Sequence, residues 1–158
     1  MAVTKKVEEE AVSALEHYLR RSGCADPQFL RNDKSLLWDG EILVYKSFAQ
    51  SNRTFDFRIP VQIKGMSANR AGCRPSCRVE EIRLKHYFKD GGVGYFLVYV
   101  DEEYRTDIYY NLLTPAALRT ILYEMKDSGS KSASVVFDPV HQIMIIRTRF
   151  QSGTVLDF

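Results

Sequence analysis

"RIPVQIKG", residues 58–65, is the stretch on which the fold turns. It reads as a β-strand in which Val61 and Ile63 flank Gln62, and successive side chains of a strand point to opposite faces. Gln62 and Lys64, two apart, therefore project side by side from one face, an amide next to an ammonium. The strand is expected to enter through "FDFRIP" and to end at Gly65, with Pro60 tolerable near a strand start or at an edge.

Upstream, "KKVEEEAVSALEHYLRR" over 5–21 predicts a helix. Ala11, Val12, Leu15, Tyr18 and Leu19 form one stripe, and Gly23 supplies the stop. Glu8 precedes that stripe by one turn and is expected at the sheet or its edge, with Glu9 as the alternative. "SLLWDGEILVYKS" places two apolar runs around Asp39-Gly40, to be read as a tight hairpin or as a strand kinked at the glycine. "FAQSNRT" is turn-like.

Downstream, 66–78 reads as a basic loop, followed by a short helix over about 79–89 with a stripe of Leu84, Tyr87 and Phe88. "DGGVG" breaks that helix, and "YFLVYV" has the unbroken apolar content of a strand covered on both faces. "DIYYNLL" is a further strand. Thr114-Pro115 caps a helix carrying Leu118, Ile121, Leu122 and Met125. The order α-β-β-β-α-β-β-α implies an α/β (α+β) domain, a mixed central sheet flanked by helices. Residues 127–132 resemble a linker, and "ASVVFDPVHQIMIIRTRF" suggests two more strands. Residues 1–126 are thus expected to form the main domain. Residues 127–158 are expected to supply a linker and added strands, leading toward a further domain because "QSGTVLDF" has no natural close.

The 158 residues are 45% apolar and 27% charged, enough for one domain with its own core. No run of about 18 apolar residues occurs, so no membrane partner is expected. Three unevenly spaced cysteines, and an N-terminus without the apolar core of a secretory signal, suggest a cytoplasmic protein with reduced thiols. The net charge of +2 is small, but from Lys64 to Lys89 seven basic residues face only Glu80 and Glu81. Arg70, Arg74, Arg78 and Lys85 in this flank are candidate nucleic-acid contacts, or simply a solvated surface.

Asp39, Gln62 and Glu8 offer two carboxylates and an amide oxygen, hard donors suited to Mg²⁺. Lys64, one strand step from Gln62, can orient a water and offset charge on a phosphoryl oxygen. These are the parts of metal-assisted phosphodiester hydrolysis. Read separately, Asp39 before Gly40 is a turn residue, Gln62 and Lys64 line a solvent face, and Glu8 complements a helix dipole.

In this order, "WDGEILVY … FRIPVQIKG … HYFKDGGVGYFLVYVD … DIYYNLLTPAAL" resembles the PD-(D/E)xK, restriction-endonuclease-like nuclease superfamily, in a bacterial uncharacterised-domain group with a D…QxK motif. The resemblance spans roughly residues 7–123. It implies an αβββαβ core, Mg²⁺ as cofactor with Mn²⁺ able to substitute, DNA as substrate with RNA not excluded, and a role in bacterial restriction or antiviral defence. It carries Asp39 onto the metal-binding acid, Lys64 onto the catalytic lysine and Glu8 onto the first-helix glutamate. Gln62 stands where most members have an acid, which removes one negative charge from the ion's shell. The alternatives are a nuclease-like domain that only binds nucleic acid or a partner, and a scaffold that dimerises.

Cys73 and Cys77 with His86 lack the second ligand pair of a zinc site, and "GGVG" lacks the Lys-Ser/Thr of a phosphate-binding loop.

Overall fold

The computed structural model describes residues 2–30, 38–67 and 74–140. In chain order these form α1 (Ala2–Arg21), β1 (Ala25–Phe29), β2 (Gly40–Tyr45), β3 (Phe55–Ser67), β4 (Ser76–Glu80), α2 (Glu81–Lys89), β5 (Val93–Val100), β6 (Thr106–Leu113), α3 (Pro115–Ser128), β7 (Ser132–Val136) and β8 (Asp138–Pro139). The expected mixed sheet flanked by helices is present. Six strands run in the order β1-β2-β3-β5-β6-β8, and β4 pairs with β7 in a separate two-stranded sheet. Every neighbouring pair in the large sheet is antiparallel except β3 with β5, which is parallel from Val61↔Gly94 to Ser67↔Val100. A parallel step needs a crossover, and β4 with α2 supplies it.

Strand alternation divides the core into two layers. Ile42, Ile59, Val61 and Phe96 meet Leu15 and Leu19 of α1, while Ala11 packs with Val98 and Val100. On the other face Tyr95, Leu97 and Leu113 meet Leu84 and Tyr87 of α2, Leu118 and Met125 of α3, and Cys77, Val79 and Val135 of the small sheet. β5 is therefore covered on both sides, as its unbroken apolar run implies, and only Tyr99 is less than fully buried. α3 starts where expected: the Thr114 hydroxyl accepts the Ala117 amide at 3.3 Å, and Pro115 occupies the first turn.

Several boundaries differ from the expectation. Gly65 does not end β3, because pairing to β5 continues through Ser67. Its missing side chain instead admits α1: a Cβ there would lie 2.9 Å from the Val7 carbonyl oxygen and 3.0 Å from the Ala11 Cβ. Asp39-Gly40 is neither a tight turn nor a mid-strand kink. Gly40 is the first residue of β2, at φ 141°, where a side chain would strike the Gln28 carbonyl on the facing strand. That facing strand, β1, lies in "ADPQF", whose Asp and Pro disguise it. The basic loop contains β4, whose alternation buries Cys77 and Val79 and exposes Arg78. The 127–132 linker is the end of α3 plus a turn into β7. Of the two late strands, β7 and the two-residue β8 are seen, and the stretch from 141 onward lies outside the described residues. Among the described residues no helix is long and apolar enough to cross a membrane.

Candidate active site

β2 begins at Gly40, opposite Val61, while β3 runs on to Ser67. The Asp39 amide still donates to the Val61 carbonyl at 2.9 Å. Its side chain then replaces the next rung, with Oδ2 accepting the Ile63 amide at 2.6 Å. The same Oδ2 accepts Gln62 Nε2 at 2.5 Å. The carboxylate is thus locked beside the part of β3 that extends beyond β2. Burial raises its pKa above the ordinary carboxylate value. The Ile63 amide and the Arg83 guanidinium pull it back, and the Glu8 charge pushes it up again.

Gln62 and Lys64 share the face that carries Tyr95 and Leu97, their register partners on β5. Gln62 is half-buried and Lys64 exposed. Lys64 is near enough to the buried Cys77 thiol to oppose the burial that raises that thiol's pKa. Asp39 therefore lies on the same side of the sheet as the amide–ammonium pair. Glu8 arrives from the opposite layer, its Cα over Gly65 on the α1 face. It acts on Asp39 through charge, without a direct bond.

Two residues of α2 join this group that the sequence did not mark as site residues, Tyr87 being expected only in the helix's apolar stripe. The Tyr87 hydroxyl donates to Gln62 Oε1 at 3.3 Å. Its ring is fully buried and packs on Trp38 at 5.1 Å between centroids and on Tyr95 at 6.3 Å. Burial raises the Tyr87 pKa to about 12 despite the guanidinium of Arg83 against its hydroxyl. Arg83, one turn before Tyr87, brings a cation to Asp39. The available signal was their i, i+4 spacing, which puts both on one helix face. A cleft of about 370 Å³ opens between Trp38, Gly40, Glu41, Arg58 and Pro60, and Asp39, Gln62, Lys64 and Glu8 do not line it.

The basic flank is less concentrated than its sequence suggests. Arg70 lies outside the described residues. Arg74 pairs with Asp138 at 3.4 Å, and Lys85 is held at 2.6 Å by Glu81, one turn back on α2. Arg78 is exposed on β4.

Cys73 also lies outside the described residues. Among the described residues no three His, Cys, Asp or Glu side chains cluster tightly enough to form a metal-binding group. The acidic donors here are two, Asp39 and Glu8, with the Gln62 amide between sheet and helix. A divalent cation beside Asp39 would relieve both the burial of its carboxylate and the nearby charge of Glu8, and would be held weakly by so few oxygens. Comparison with models of protein families, with curated proteins and with solved structures returns no significant match for this chain.

Proposed function

We propose that this chain is a Mg²⁺-dependent nuclease domain of the PD-(D/E)xK type, hydrolysing phosphodiester bonds in DNA, in a bacterial defence or restriction setting. The observation that carries the reading is the bond between Asp39 and Gln62, which puts the acid on the Lys64 side of the sheet.

Asp39, Gln62 and Glu8 would hold the cation, with Mn²⁺ able to replace Mg²⁺. When bound, it would supply Lewis acidity toward the phosphate and lower the pKa of the attacking water. The chain's own groups do the rest. The Ile63 amide and the short reach from β2 fix the direction of the Asp39 carboxylate. The exposed Lys64 ammonium is placed to orient a water and to offset charge growing on a phosphoryl oxygen. Arg83 adds a guanidinium suited to a phosphate. The exposed Arg78 contributes to steering of the polyanion.

The test uses plasmid and linear duplex DNA with Mg²⁺, with Mn²⁺ and with a chelator. Cleavage should need the divalent ion and vanish in Asp39→Ala and in Lys64→Ala. Activity surviving both substitutions would belong to something else in the preparation.

One feature favours a second reading, a module that binds nucleic acid without cutting it. With an amide at position 62, the described site has no third acidic donor. That reading expects salt-sensitive DNA binding and no cleavage with any divalent ion.

A further inference from the structure

The Gln62 oxygen, the atom that would coordinate a cation, is turned away from Asp39. A carboxylate can only accept, so Nε2 faces Asp39 and Oε1 faces the Tyr87 hydroxyl. A hard cation held by Asp39 would need the reverse, with Oε1 toward the ion. A half-turn of the terminal amide gives that arrangement and leaves Nε2 pointing at Tyr87. A phenol hydroxyl is among the few groups that serve both states, since it donates to an oxygen and accepts from an N–H. Its position is fixed by the buried ring between Trp38 and Tyr95, and by the Arg83 guanidinium beside the oxygen.

We infer that Tyr87 is a positioning residue for Gln62, giving the amide a partner in both orientations and so making an otherwise misdirected glutamine a usable metal ligand. The inference rests on the nuclease reading only in taking a divalent cation as the ligand. Removing the hydroxyl costs the two states unequally. In the metal-free state a carbonyl oxygen loses a donor while the bond to Asp39 remains. In the loaded state the N–H of a half-buried amide that faces position 87 loses its acceptor, the costlier loss, because an unpaired donor is tolerated less than a carbonyl oxygen with a lone pair unused. A glutamate at 62 has an oxygen on either side and needs no such partner.

The experiment is a double-mutant cycle on Mg²⁺ affinity, read by isothermal titration calorimetry without DNA. Tyr87→Phe, which keeps the ring, should weaken Mg²⁺ binding about tenfold in the native chain. In the Gln62→Glu background the same change should alter it less than about twofold. A second readout needs no variant at Tyr87: the side-chain amide NMR pair that disappears in Gln62→Glu should shift strongly on Mg²⁺ saturation of the native chain. Equal weakening in both backgrounds, no weakening in the native chain, or an unmoved amide pair would each overturn the inference. So would a native chain that binds no Mg²⁺. Failure of the cycle beside intact Mg²⁺-dependent cleavage would leave the nuclease reading standing. A successful cycle in a protein that cuts no DNA would remove that reading and keep the role of Tyr87.

Discussion

Asp39 and Ile63 are joined where a strand-to-strand bond would otherwise be: the Ile63 amide donates to the Asp39 carboxylate at 2.6 Å, immediately beyond the last rung of β2 on β3. A side chain thus finishes the ladder. This satisfies a backbone donor and holds an acid in partial burial, where its charge is disfavoured.

The first consequence concerns stability against activity. The fold raises the Asp39 pKa above 3.8, so the folded state retains this proton at a pH where the unfolded chain has lost it. Stability therefore falls as pH rises from that ordinary value through the raised one, and then levels off. Asp39→Asn should remove this slope and melt at a higher temperature than the native chain at neutral pH. Cleavage should fall by about a thousandfold or more. A neutral-pH melt no higher than that of the native chain would show that the carboxylate is not under strain.

Gln62→Glu sets a second carboxylate against Asp39, in place of the amide that now donates to it. With a chelator present the variant should melt several degrees lower than the native chain, because two like charges share a poorly solvated site. Mg²⁺ should reverse the order and bind at least about tenfold tighter. Calorimetric titration and melts with and without Mg²⁺ check both signs.

Gly65→Val tests the approach of α1 to the sheet. The added Cβ alone would meet the Val7 carbonyl oxygen at 2.9 Å and the Glu8 Cα at 3.2 Å. Helix and strand would have to separate, at a cost of about 1–3 kcal/mol, or several degrees in Tm. An unchanged melting temperature would mean that α1 is not seated on β3 at Gly65.

Asp101 gives an acid-range signature of the opposite sign. Its side chain is held below the ordinary value, first by Arg105, whose Nε lies at 2.7 Å, and further by the backbone amides of Arg105 and Glu103. This contribution is fully present above 3.8 and is lost as pH falls through the depressed value. Asp101→Asn should melt lower than the native chain at neutral pH, and the difference should close on acidification. A gap independent of pH would assign the effect to packing rather than charge.

The pairing of Gln62 with Lys64 on one face was legible because side-chain direction in a strand is a matter of parity alone. An unbroken apolar run marked β5 as covered on both sides, and helical spacing oriented Leu15 and Leu19 of α1 correctly. β1 was not legible, because Asp26 and Pro27 are poor strand residues. Pairing with β2 holds them there. β4 was hidden in a basic stretch because its buried residues, Cys77 and Val79, are only two.

The sequence by itself determined which residue types could act and on which side of β3 two of them stand. Only the tertiary structure decided that Asp39 closes the ladder at Ile63, that Glu8 approaches from the far layer, and that Arg83 and Tyr87 of α2 complete the group. The reason is physical: periodicity is a property of consecutive residues. The meeting of β2, β3 and two helices depends on where β2 begins and how closely α1 can approach a glycine, and no local pattern encodes either.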